Sequence, residues 1–259
     1  MYPILLDLGF WQLRSYGIVV AIALLVGIWW SAREAERRGF SRALVYDLAW
    51  VASLAGFAGA RLWFAFFSEP ALFLAEPWEI FAVWRGGLAF QGALVGGFLA
   101  GLWFIRRRAL PFWRLAGAVV PGLALGQAVG QIACLLNGDS YGKPTTVSWA
   151  IVYTHPQALA PLGVPLHPVE VYELVGYFLV FLVVQRVARS AGREGQALVV
   201  YAVLYGVTRF AMEFFRGAPP VVAGILVPQA VSVLLVAAGL IGAWLGRQLA
   251  WRSDGRVGA

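Results

Sequence analysis

The sequence predicts an all-α integral membrane protein. It is expected to be a single domain over residues 1–259 with seven transmembrane helices, the N-terminus outside, the C-terminus cytoplasmic, and a proline-rich outer loop over 137–168 capping one face. Three observations carry this. Hydrophobic residues make up 61% of the chain and charged residues only 13%, where a soluble domain carries about 25% charged residues. The apolar residues fall into seven runs near the length of about 20 residues that crosses a bilayer. The arginines cluster after alternate runs, with the parity that seven crossings require. A soluble enzyme, a secreted disulfide scaffold and a disordered tail are excluded, because none could hide this much apolar surface from water.

The elements follow in order. The first fifteen residues carry Asp7 and Arg14 and lack a basic start followed by an apolar core, so no cleavable signal is expected. The seven runs are Tyr16–Ala32, Leu48–Phe67, Gly87–Ile105, Leu115–Leu136, Val169–Gln185, Gln196–Phe215 and Val221–Gly246. Arg33, Arg37, Arg38 and Arg42 follow the first run, and Arg106, Arg107, Arg108 and Arg114 the third. Arg186, Arg189 and Arg193 follow the fifth, and Arg247, Arg252 and Arg256 the seventh. By the positive-inside rule these ends are cytoplasmic. The other basic residues, Arg14, Arg61, Arg85, Lys143, Arg209 and Arg216, lie on the outer side or inside runs. Gly92 and Gly96 in the third run, and Gly122, Gly126 and Gly130 in the fourth, form small-xxx-small faces that suit close helix packing. The outer loop from Asn137 to Pro168 holds Pro144, Pro156, Pro161, Pro165 and Pro168 and is expected to be ordered.

The net charge of +7 invites a nucleic-acid reading, but short arginine clusters between apolar runs are topology signals, so no nucleic-acid partner is expected. One cysteine, Cys134, and two histidines exclude an intramolecular disulfide and a thiolate or histidine-rich metal site, and no metal or organic cofactor is expected.

Ionisable residues inside a span are costly and face a bundle interior or an aqueous cavity. In the sixth run Tyr205, Arg209, Glu213 and Arg216 recur at i, i+4, i+8 and i+11, one helical stripe. At about 1.5 Å per residue, Arg209 lies about 20 Å from the cytoplasmic end, and Arg61 in the second run reaches a similar depth. Guanidinium groups at one depth suit a phosphate, which arginine grips bidentately. The competing reading pairs Arg209 with Glu213 alone; it leaves the charges of Arg61 and Arg216 over, which an anionic ligand balances. The fourth run carries Gln127, Gln131 and Cys134 on one stripe, followed by Asn137 and Asp139. Hydrogen bonding between helices competes with a binding role for the glutamines, and Cys134 reads as a small apolar filler rather than a nucleophile. His167, Glu170, Tyr172 and Glu173 place polar groups at the outer mouth of the fifth run.

Taken together the chain resembles the bacterial prolipoprotein diacylglyceryl transferases over nearly its whole length. Ser15-Tyr16-Gly17 and the stretch from Gly86 to Gly92 are similar to motifs that open the family's first and third spans, and Gly59-Ala60-Arg61 to its motif on the second. The signature from Gly130 to Pro144 reads GQIACLLNGDSYGKP and includes Gly142; His167-Pro168 to Tyr172-Glu173, Tyr205, TRFAMEFFR from Thr208 to Arg216, and Gln229 with Ser232 complete the series.

The resemblance implies a multi-pass protein of the bacterial cytoplasmic membrane. It would transfer the diacylglyceryl group of phosphatidylglycerol to the lipobox cysteine of a prolipoprotein, whose signal peptide is the partner, and release glycerol phosphate. Arg61, Arg209, Arg216 and Gln131 would then handle phosphate. Glu213 would position Arg209 or activate the thiol, and Tyr16 and Tyr205 would line the lipid. Gln91, Cys134, Asn137, Asp139, Gly142, His167 and Glu173 would line the substrates. Four positions depart from the family pattern: Gln91 stands for its His, Gln131 for its Arg, Cys134 for its usual Asn and Asp139 for its Glu. Two other readings stay open, an altered paralogue that binds anionic lipid or lipoprotein without transfer, and a small transporter.

Overall fold

The computed structural model describes residues 2–8, 12–82, 86–190, 194–217, 221–222 and 225–254, with the backbone alone described beyond Trp244. Among these residues, seven long helices fall in the order of the seven apolar runs. They are α1 (Ser15–Arg37), α2 (Arg42–Trp63), α4 (Phe90–Arg107), α5 (Phe112–Asn137), α6 (Val169–Arg189), α7 (Gln196–Met212) and α8 (Val227–Asp254); a short α3 (Pro70–Ala75) lies between α2 and α4.

Among the described residues, four segments are long and apolar enough to cross a membrane: Ser15–Arg37, Arg42–Ser68, Phe112–Asn137 and Val169–Arg189. The 17 residues of α7 rise about 25 Å, short of a hydrocarbon core of about 30 Å. The protein is thus an all-helical membrane protein with several spans. The expectations for Arg85, Arg193 and Arg256 lie outside the described residues, as do those for the side chains of Arg247 and Arg252.

Several boundaries differ from the sequence reading, and two of them reshape the last two runs. The sixth run stops being helical at Met212, because the chain turns there and Arg216 pairs as an antiparallel bridge with Gly142. The seventh begins with strands β5 (Val221–Val222) and β6 (Ile225–Leu226), and α8 starts only at Val227, with Pro228 in its first turn, where a missing N–H is harmless.

The chain divides into two compact units, Met1–Glu34 with Ala116–Ala259, and Ala35–Leu115. In the first, strands β1 (Ile4–Asp7) and β2 (Gln12–Arg14) form an antiparallel hairpin that runs directly into α1. Glycine lets α1 and α5 touch backbone to backbone: a Cβ at Gly122 would stand 2.1 Å from Ser31 Oγ and 2.3 Å from the Gly27 carbonyl oxygen. Val120, Ala124, Val180, Phe181, Val184 and Ala197 form the buried core between α5, α6 and α7. Below it, Trp30 donates to Gln185 at 2.6 Å, and Gln185 donates to the buried Glu34 at 2.8 Å. Over residues 138–168, β3 (Ile151–Val152) pairs antiparallel with β4 (Pro165–Leu166) above a small core of Tyr153, Ala160 and Leu166, so the proline-rich loop is ordered as expected.

In the second unit, Ser41 caps α2 by accepting the Leu44 N–H at 3.2 Å. The Gly92 face packs on α2, where a Cβ at Gly92 would meet the Gly59 carbonyl oxygen at 2.1 Å. This is the small-residue packing the sequence predicts.

Candidate functional site

The site is built from the ends of α6 and α7 in the first unit. Glu170 and Glu173 sit three residues apart in the opening turns of α6, so both point to one side, and both are buried at 1% exposure. Acidic groups are favoured at a helix N-terminus and cations near a C-terminus, where Arg209 stands on α7. Past Met212 the chain turns, Glu213 caps the helix, and the Phe215 carbonyl accepts the Lys143 N–H at 2.8 Å.

Four charges meet there. Arg209 Nη1 donates to Glu173 Oε1 at 2.8 Å and lies 3.3 Å from Glu213 Oε2. Arg216 Nη2 donates to both oxygens of Glu173, at 2.8 and 2.9 Å. The side chains of Glu173 and Glu213 are 1% and 0% exposed in these pairs. Two arginines against two glutamates balance. The surplus positive charge expected of this stripe is absent from the cluster, because Glu173 supplies a second carboxylate from another helix.

The cluster is not saturated. Both oxygens of Glu213 and Nε of Arg216 are buried without a hydrogen bond. Nε and Nη2 of Arg209 and Nη1 of Arg216 have no protein partner among the described residues. Unmade bonds at buried charged groups are costly and mark positions that a ligand can complete.

Beside the cluster, Tyr177, Tyr205 and Tyr201 stack in a column, with ring centroids 5.5 and 5.6 Å apart. Tyr201 donates to Gln127 at 2.7 Å, so Gln127 has the interhelical bond that competed with a binding role. On the other side Tyr153 donates to Glu170 Oε1 at 3.0 Å, and Glu170 Oε2 is left buried without a partner. Burial, reinforced by the Glu170 carboxylate, pushes the Tyr153 hydroxyl well above the usual phenol range, so it remains a neutral donor.

The other expected residues fall as follows. Gln131 turns a buried Oε1, without a partner, to the interior, and Cys134 meets the side chains of Ser140 and Asp139. Asn137 ends α5, and its carbonyl accepts the Leu159 N–H at 3.1 Å. Asp139 is exposed, and Tyr16, 39% exposed, lies within electrostatic reach of Cys134 and Asp139. Gly142 acts through its backbone: a Cβ there would stand 2.4 Å from the His167 carbonyl oxygen. His167 Nδ1 lies 3.3 Å from Tyr172 Oη.

Arg61 and Gln91 belong to the second unit. Gln91 is exposed. Arg61 is 6% exposed, and its guanidinium is turned to carbonyls: Nε to Ile80 at 3.1 Å, Nη1 to Gly86 at 2.5 Å and Gly87 at 2.9 Å, and Nη2 to Glu79 and to Ala82 at 3.3 Å. A guanidinium has five N–H groups, and each finds a carbonyl here. The expected phosphate contact at Arg61 therefore meets occupied donors, and the residue ties down residues 79–82 and 86–87.

Sequence reasoning missed Tyr153, Tyr177 and Trp149 as neighbours of this site. The spacing of Tyr201 and Tyr205, one helical turn apart and one turn before Arg209, was the available signal for the tyrosine column.

A family model described as prolipoprotein diacylglyceryl transferase matches residues 3–245. A phosphatidylglycerol–prolipoprotein diacylglyceryl transferase of Synechococcus elongatus is 33% identical over 250 residues, covering 93% of this chain and 86% of that protein. The protein of the same description from Symbiobacterium thermophilum is 33% identical over 258 residues, covering 97% and 96%. That from Trichormus variabilis is 33% identical over 253 residues, covering 94% and 89%.

Proposed function

The chain belongs to the prolipoprotein diacylglyceryl transferase family, and from that premise we propose that it moves the diacylglyceryl group of phosphatidylglycerol onto the lipobox cysteine thiol of a prolipoprotein. The observation that carries the site assignment is the unsaturated cluster of Arg209, Arg216, Glu173 and Glu213. Glu173 holds both guanidinium groups in place, and their remaining N–H groups suit the phosphodiester oxygens of an anionic lipid.

The thiol gives its proton to Glu213, whose buried oxygens lack donors. Sulfur attacks the glyceryl carbon that carries the phosphate, the carbon–oxygen bond breaks, and its electron pair leaves on glycerol phosphate. The proton passes from Glu213 to the departing phosphate or to water. Preorganised arginines in a site of low dielectric offset the negative charge that gathers on the leaving oxygen. The tyrosine column and Tyr16 line the acyl chains, and Gln131, Cys134, Asn137, Asp139, Gly142 and His167 line the two substrates.

The chain crosses the bacterial cytoplasmic membrane seven times as one domain, with the N-terminus and residues 137–168 outside. Alternating arginine clusters support this orientation. A cysteine placed in residues 137–168, in a Cys134→Ala background, reacts with an impermeant thiol reagent applied to spheroplasts, and one placed at Arg107 does not. The reverse labelling sinks the orientation.

Complementation of a strain depleted of its own transferase tests the function, with thioether-linked diacylglyceryl on a model prolipoprotein read by mass spectrometry. Survival with modified lipoprotein is expected; absence of modified lipoprotein at normal expression overturns the reading.

Gln91 and Gln131 favour a second reading, binding without transfer, because neither is a base at neutral pH or a cation. The double change Gln91→His with Gln131→Arg then creates transfer that the native chain lacks. On the transferase reading the native chain is already active.

A further inference from the structure

One hydrogen-bonded chain at the outer mouth is left unused by this mechanism. Trp149 Nε1 donates to Tyr172 Oη at 2.7 Å, and the same oxygen lies 3.3 Å from His167 Nδ1. An indole N–H can only donate, so Tyr172 accepts from Trp149, which favours its own O–H donating to His167 Nδ1. Nδ1 then serves as the acceptor, and neutral His167 carries its proton on Nε2. The ring is also held edge-on by Phe215, with centroids 5.3 Å apart.

The backbone ties this histidine to the arginine cluster. Gly142 donates its N–H to the His167 carbonyl at 3.2 Å and pairs with Arg216. Tyr172 immediately precedes Glu173, which holds both arginines. An imidazole N–H whose backbone is joined to that of Arg216 through Gly142 suits an anionic oxygen. In this tautomer Nε2 is already protonated, so it cannot take the proton of a thiol.

We propose that Trp149 and Tyr172 are positioning residues that lock His167 as an Nε2–H donor to a phosphate oxygen of phosphatidylglycerol. The inference rests on the transferase reading for the identity of the lipid. The tautomer itself stands apart from it.

The test uses the full chain in lipid nanodiscs with 15N-labelled histidine. The chain has only two histidines, and His155→Gln assigns the signals. The native protein at neutral pH shows His167 protonated on Nε2. Tyr172→Phe gives mixed tautomers while His155, whose Nδ1 accepts the Gln157 N–H at 3.2 Å, keeps its own. Nanodiscs containing phosphatidylglycerol move the His167 Nε2 resonance, and inorganic phosphate with neutral-lipid nanodiscs does not.

In the transfer assay His167→Gln, whose amide N–H stands near the position of Nε2, outperforms His167→Asn, whose amide stands near that of Nδ1. The gap is about 10- to 100-fold, the worth of a hydrogen bond to a charged group. Native His167 protonated on Nδ1, equal activity of the two variants, or a resonance that answers only to free phosphate each overturns the inference. If the native chain transfers nothing, the lipid-dependent shift still decides the contact, and its absence sinks the donor role independently of the enzymatic one.

Discussion

Arg216 donates from one nitrogen to both oxygens of Glu173, at 2.8 and 2.9 Å, across 43 residues of sequence. The same carboxylate takes Arg209 from α7. Glu173 is therefore the hinge of the cluster: one buried acid on α6 fixes two guanidinium groups and, on the proposed reading, leaves their other N–H groups for substrate. Removing one partner of a buried charge group leaves the rest uncompensated, at a cost of about 3–5 kcal/mol. Glu173→Gln is expected to lower the thermal midpoint in nanodiscs by several degrees and to abolish transfer. An unchanged midpoint would mean that water already reaches the pair and that Glu173 holds nothing.

On the proposed reading Arg209 meets phosphate with geometry as well as charge. Arg209→Ala is expected to reduce transfer about 10²–10³-fold, in line with the loss of one preorganised donor at a developing charge. Arg209→Lys should recover little of it, since an ammonium cannot keep Glu173 and bind phosphate through a planar fork. Steady-state rates on a lipobox peptide decide between them. Native rates in Arg209→Lys would remove the forked contact from the mechanism.

Arg61 should behave differently. Its N–H groups meet carbonyls of Glu79, Ile80, Ala82, Gly86 and Gly87, so Arg61→Lys, with three donors in place of five, is expected to speed hydrogen exchange at and beside those residues. A direct phosphate ligand would instead weaken lipid binding and leave exchange unchanged. Comparing exchange with a lipid titration separates the two.

Gly92 is a packing residue. An added Cβ would stand 2.1 Å from the Gly59 carbonyl oxygen and 2.4 Å from Trp63 Cβ. Gly92→Ala is expected to destabilise the α2–α4 pair by about 1–3 kcal/mol, as overpacking does, and to appear as a lower unfolding midpoint. Gly101→Ala is the matched control, because its Cβ would have only Leu48 Cδ1 within reach, at 3.7 Å. Equal midpoints for the two variants would dismiss the tight contact.

The helices were legible because apolar runs and arginine clusters are local signals that a bilayer makes compulsory. Arg209 and Glu213 were legible for a related reason: an ionisable group in a span needs a partner, and theirs lies one turn away. What the sequence hides is partnership over distance. Tyr153 with Glu170 and Trp149 with Tyr172 are joined by the path of the loop over 138–168, and Arg216 with Glu173 by the meeting of two helix ends, which periodicity does not describe. Arg61 shows the same limit. Its depth and charge point to a ligand, while its five donors are taken by carbonyls of a segment whose course no motif records.

The central claim is that this chain makes a thioether. Purified protein in nanodiscs containing phosphatidylglycerol, incubated with a peptide bearing a lipobox cysteine, tests it most directly by mass spectrometry of the peptide. The expected result is one diacylglyceryl group on the cysteine sulfur and an equal amount of glycerol phosphate, both lost with Arg209→Ala. An unmodified peptide, in a preparation shown to bind phosphatidylglycerol, contradicts it.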